Sequence, residues 1–150
     1  MGTMAGIKLI KKQLNELKKY KNNPRTDGSA EAVRESIEKF GYINPIIINK
    51  RGVILAGHSR VDALRELGID AVECILADDL TEEQGKAFRI SDNRVAEFST
   101  WNVEMLNSEM EQIGADDWEK FGFKKKDLEA LEPPEKCTCP RCGKSFYKVR

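Results

Sequence analysis

The stretch "ILAGHSRVDALRELG", residues 54–68, decides how this chain folds. Ile54, Leu55 and Ala56 end at Gly57, and a polar triplet, His58-Ser59-Arg60, follows. Val61, Ala63, Leu64 and Leu67 then recur at helical spacing until Gly68. The pattern predicts a strand "GVIL" at 52–55 that runs through a glycine turn into a helix over about 59–67. Two readings of that turn stand side by side. The first turn of a helix carries unpaired N–H groups and the positive end of the helix dipole, which together attract phosphate. Gly57 would let a ligand approach the backbone, Arg60 would offer a planar fork of donors, and His58 would donate a hydrogen bond or change charge with pH. The other reading needs no ligand: Ser59 with Asp62 three residues on fits a capping box, and Arg60 pairs with an acid on a neighbouring loop.

Working outward, "IKLI" at 7–10 reads as a first strand and Pro24 as a turn. Ser29 caps a helix in which Val33, Ile37 and Phe40 recur, and Gly41 ends it. "PIIIN" at 45–49 is a buried strand joined to 52–55 by Lys50-Arg51-Gly52. "AVECILA" at 71–77 is another, with Cys74 as a small buried hydrophobe. Thr81-Glu82-Glu83-Gln84 has the form of a capping box and opens a helix to about Arg94. Asn102 caps a further helix through Val103, Leu106, Met110 and Ile113, and "DLEALE" at 127–132 is a short amphipathic piece. The fold class expected is α+β: a small mixed β-sheet flanked by helices. Pro133-Pro134 mark the boundary between a domain at 7–132 and an appendage at 133–150.

The 150 residues suffice for one domain with a real core, since a domain of this size buries roughly 68–70% of its unfolded surface. No apolar run approaches the roughly 20 residues that span a bilayer. The N-terminal "MGTMAGIKLIKKQ" has no signal-peptide core, and Gly at position 6 leaves a myristoylation pattern incomplete. A cytoplasmic location is therefore expected. With 25 basic and 25 acidic residues, bulk charge does not coat nucleic acid. The distribution is uneven: residues 8–25 hold seven bases against Glu16 alone, and residues 136–150 hold five bases and no acid. Such asymmetry suits a basic face for phosphates and equally suits solvated basic ends.

Three of the four cysteines crowd into "CTCPRC", residues 137–142. That spacing is poor for a disulfide framework and good for metal. Cys-Pro-x-Cys-Gly with an aromatic beyond it has the form of a zinc knuckle, with Cys139 and Cys142 as the core pair and Cys137 as a third ligand. A structural site takes four ligands, so the fourth is expected from another chain, which would make a homodimer. The other reading is a basic tail with free thiols. Glu35, Asp78, Asp92 and Glu97 are the candidate carboxylates for metal-dependent chemistry, each more simply a solvated acid. Phe98 and Trp101 are expected in the core.

Four ordered blocks carry a family resemblance: "LKKYKNNPR" at 17–25, "SIEKFGYINPIIIN" at 36–49, the opening stretch at 54–68, and "DLTEEQGKAFRISDNRVAEFSTW" at 79–101. Together they resemble the ParB/sulfiredoxin-like family, in the form of the ParB N-terminal or "ParB-like nuclease" domain found in phages and mobile elements, over about residues 7–113. The resemblance implies a nucleoside triphosphate site, for CTP or ATP with Mg²⁺, at Gly57, His58, Ser59 and Arg60. Arg25 flanks the ligand, and Asn93 and Arg94 fall in the second phosphate-contacting block. It also implies DNA as a partner and a DNA methyltransferase as a companion. Sulfiredoxins carry a catalytic cysteine where this chain has His58, so sulfiredoxin activity is not expected. ParB carries Glu-Arg-Arg where this chain has His58-Ser59-Arg60, and no helix-turn-helix is evident after residue 113. The function expected is a nucleotide-binding module for DNA transactions. The alternatives are a metal-dependent nuclease or NTPase using the same pocket, and a protein-interaction module whose pocket is a relic.

Overall fold

The structure, a computed structural model, describes residues 6–24, 30–114, 122–123, 136–138 and 145–147. The chain divides into two compact units, Met1–Ser99 and Thr100–Arg150.

The first unit is built on a four-stranded mixed sheet, made of β1 (Leu9–Gln13), β2 (Ile46–Ile48), β3 (Ile54–Ala56) and β4 (Ala71–Leu76) in the order β1-β4-β2-β3. β1 pairs with β4 antiparallel, β4 with β2 parallel, and β2 with β3 antiparallel. Ile46 and Ile48 are fully buried, as the apolar run of β2 requires of an interior strand. The turn between β2 and β3 is closed by Asn49, whose Oδ1 accepts from the N–H groups of Arg51 and Val53, and by Gly52 at φ +74°. Beyond β1 a single 3-10 turn, Leu14–Glu16, carries the chain to the far edge of the sheet. There Lys18 N donates to Gly52 O, and Ile54 N donates to Lys18 O.

Three helices accompany the sheet: α1 (Ala30–Phe40), α2 (His58–Glu66) and α3 (Glu82–Glu97). Val61 and Leu64 of α2 are buried in one cluster with Leu14, Leu17, Ile46, Ile48, Ile54, Val72 and Cys74. Each fully buried side chain of that size contributes roughly 1.5–3 kcal/mol. α1 packs on α2, and α3 packs on β3. The second unit contains α4 (Val103–Gln112) and an antiparallel strand pair, β5 (Lys136–Thr138) with β6 (Ser145–Tyr147).

The α+β class is as expected, and several details are corrected. The first strand is Leu9–Gln13 rather than 7–10, because its register is set by β4, with Leu9 opposite Ile75 and Gln13 opposite Ala71. α2 begins at His58 rather than Ser59. α3 runs on to Glu97, past the expected end at Arg94. Phe98 and Trp101 are not core residues: they are 69% and 61% exposed. Arg94 lies 4.7 Å from the Phe98 ring, and Trp101 packs at 5.5 Å on Phe123. Residues 25–29, 115–121 and 124–135 lie outside the described residues, and with them fall Ser29, Arg25, "DLEALE" and the Pro133-Pro134 boundary.

Candidate nucleotide-binding site

Gly57 is the N-cap of α2 and sits at φ +98°, ψ 31°, in the left-handed region. A Cβ there would meet Arg60 Nη1 at 2.9 Å and Ile46 Cγ1 at 3.3 Å, so position 57 excludes side chains by conformation and by space. The helix thus opens with no side-chain cap and no acidic residue in its first turn. Ser59 and Asp62 do not form a capping box. Ser59 lies inside the helix, and Asp62 is drawn to Lys19, with Nζ–Oδ1 at 2.6 Å. The acid that would have opposed an incoming anion is therefore paired with a cation.

Arg60 is half-buried, and its Nη1 donates to the carbonyl of Pro45 at 3.3 Å rather than to a loop carboxylate. Burial lowers its pKa, while Tyr42 and Asp92 act the other way. The loop that presents Pro45 is held by Tyr42, whose hydroxyl accepts from Ile46 N–H and donates to Glu73 O. Arg60 also borders a cleft of about 400 Å³ whose walls include Val33, Ser36 and Ile37 of α1 and Tyr42. An apolar pocket with one oriented cation at its edge is a common form of small-molecule site.

On the other side of the turn, His58 Nε2 accepts from Tyr20 N–H at 3.4 Å. Burial, then the charges of Arg89 and Lys19, push the imidazole pKa below its ordinary value, against a weaker pull from Asp62. The neutral ring with Nε2 unprotonated leaves Nδ1–H as the donor. Arg89, from α3, is 4% exposed, and its Nε donates to Ile54 O at 3.4 Å. The guanidinium lies 3.7 Å over the Tyr20 ring, and among the described residues no carboxylate pairs with it. One turn on, Asn93 Nδ2 donates to Arg89 O.

The structure therefore brings Gly57, His58, Ser59 and Arg60 together at the start of α2, with the charges of Arg89 and Asp92 on α3 acting on His58 and Arg60 respectively. Asn93 and Arg94 lie on α3, Arg94 against Phe98. Arg25, Cys139 and Cys142 lie outside the described residues, and Cys137 is on β5. Sequence reasoning missed Arg89, Tyr20 and Lys19. Their role depends on contacts across the fold, and only the basic character of residues 8–25 hinted at it. Asp78 pairs with Lys8 at 2.6 Å, and among the described residues no group of three or more His, Cys, Asp or Glu is placed to hold a metal. Cys74 is fully buried, as expected. Among the described residues no helix is long and apolar enough to cross a membrane.

Residues 3–94 match the model of the ParB N-terminal domain family, and the chain belongs to that family. It is 40% identical over 80 residues to the ParB-like nuclease domain-containing protein YnaK of Escherichia coli K12, which covers 52% of this chain and 92% of that protein. It is 34% identical over 47 residues to the uncharacterized protein ORF326b of Acidianus two-tailed virus, which covers 31% of this chain and 14% of the viral protein. Among solved structures, C-terminally truncated Caulobacter crescentus ParB, a chromosome-partitioning protein complexed with CTP-γ-S, has a similar fold. The TM-score is 0.56 at 20% identity, over 83% of this chain and 70% of that one. A pNOB8-like ParB-N domain has a TM-score of 0.53 at 17% identity, over 95% of this chain and 57% of that one.

Proposed function

We propose that this chain is a nucleoside-triphosphate-binding module, holding phosphate at Gly57, His58, Ser59 and Arg60, that serves DNA transactions of a phage or mobile element. The observation that carries the reading is the α2 N-terminus. A left-handed glycine opens it, no side chain caps it, and its first turn holds Arg60 and no acid. Donors, dipole and guanidinium then converge where an anion gains most. The cleft beside Arg60 gives a nucleoside somewhere to lie. Membership of the ParB N-terminal domain family supports the reading, as does the nucleotide analogue named for the Caulobacter protein. Arg25, Asn93 and Arg94 complete the proposed phosphate set, with Mg²⁺ accompanying CTP or ATP. A viral relative accords with the mobile-element setting, and a DNA methyltransferase is the proposed companion.

The test is a thermal-shift titration with ATP, CTP, GTP and UTP and Mg²⁺. A ligand that binds only the folded state raises Tm with concentration. At least one nucleotide should do so, and Arg60→Ala should remove most of the gain while leaving the free protein folded. One charge-assisted hydrogen bond is worth about 1.5–3 kcal/mol, or roughly ten- to hundredfold in affinity. Equal binding by Arg60→Ala and wild type would reduce the turn to a structural feature. Product assay in the same samples reads whether the nucleotide is hydrolysed.

A further inference from the structure

A second cleft, of about 550 Å³, is lined by Tyr20 and Arg89 and lies between the N-terminal half of α3 and the β2–β3 turn. Its walls hold five cations, Lys18, Lys50, Arg51, Lys86 and Arg89, against one carboxylate, Glu82. Glu82 is already engaged by Arg51 at 3.3 Å and Lys86 at 3.8 Å. Lys18 and Arg89 have no carboxylate at ion-pair distance among the described residues. Arg89 is the telling member. A guanidinium this deeply buried costs desolvation, and it is held by an aromatic face and a carbonyl rather than by an opposite charge.

We propose that this cleft takes the sugar-phosphate backbone of a nucleic-acid strand. The cations come from three separate stretches of chain: the Lys18 segment beside β3, the β2–β3 turn, and one face of α3. A groove lined in that way meets successive phosphates, whereas a single phosphate group is bound by donors converging on one point. Val53, Leu55 and Leu80 add apolar wall against which sugars and bases can pack. None of Gly57, His58, Ser59 or Arg60 lines this cleft, whereas Tyr20 and Arg89 border both the cleft and the turn. The inference rests on the DNA part of the proposed function, and the test therefore changes only cleft cations away from the nucleotide turn.

The experiment measures fluorescence anisotropy of a short labelled single strand, and of its duplex, against the full chain over a salt series. The variant Lys50→Gln/Arg51→Gln/Lys86→Gln removes three exposed cations whose surface ion pairs contribute little to stability. Lys11→Gln/Lys12→Gln/Lys39→Gln removes equal charge outside the cleft. The cleft variant should bind at least about tenfold more weakly at low salt. Its salt slope should fall by about 0.7 per lost contact on a single strand and about 0.9 on a duplex. The control should keep both, and the thermal shift with nucleotide should persist in the cleft variant. Equal losses in the two variants would mean bulk charge alone and would overturn the proposal. So would no binding of either oligonucleotide, or a cleft variant that loses inorganic phosphate binding but keeps the oligonucleotide.

Discussion

His58 is one residue whose environment makes a solution prediction with a definite sign. Burial and the neighbouring Arg89 and Lys19 hold its folded-state pKa below the ordinary 6.5. Between that lowered value and 6.5 the unfolded chain binds more protons than the folded one, so stability rises with pH through this window. The contribution is fully present above about 6.5 and is lost as pH falls through the folded-state pKa. Protonation would also end the acceptance from Tyr20 N–H. Melting curves at pH 7.5 and 5.5 on wild type and His58→Gln would measure this. Wild type should lose more Tm on acidification than the variant, and equal losses would remove His58 from the balance. In the sequence, His58 stood out because the turn made it conspicuous. Its partner Arg89 did not, because nothing local in "KAFRISDNR" distinguishes a buried guanidinium from a solvated one.

At the scale of elements, legibility follows the range of the interaction that fixes each boundary. The Thr81 capping box was readable because both of its hydrogen bonds are local: Gln84 N donates to Thr81 Oγ1 at 3.2 Å, and Thr81 N donates to Gln84 Oε1 at 2.9 Å. The Ser59–Asp62 pattern looked the same and is false, because Lys19, from a distant segment, captures Asp62 and Gly57 takes the cap. β1 was misplaced for a similar reason: Lys11 and Lys12 dilute its apolar pattern, and only β4 sets its extent. The two apparent boxes make a paired prediction. Thr81→Ala should cost about 1 kcal/mol as a lost N-cap. Ser59→Ala should stay within about 0.5 kcal/mol, because that hydroxyl caps nothing. Urea midpoints of the two variants check both at once, and equal costs would restore Ser59 as a cap.

At the scale of the whole molecule, the proposed nucleotide turn and the basic cleft belong to the first unit, whereas the cysteines of the tail belong to the second. β5 pairs with β6 so that Cys137 lies opposite Phe146, and Cys139 and Cys142 lie outside the described residues. The ground for expecting zinc there is the sequence pattern Cys-Pro-x-Cys-Gly with Cys137 just before it. Three thiols leave a four-ligand site one short, and the remaining Cys74 and His58 are committed, one to the core and the other to Tyr20. Zinc should therefore be completed between two chains, so that metal binding is coupled to association. Freshly purified, reduced protein should carry zinc and sediment as a dimer. A chelator should shift it toward monomer without unfolding the first unit, whose buried cluster uses none of those cysteines. Cys139→Ser should do the same. Zinc in a strict monomer would keep the metal and refute the sharing, while metal analysis that finds no zinc would refute both.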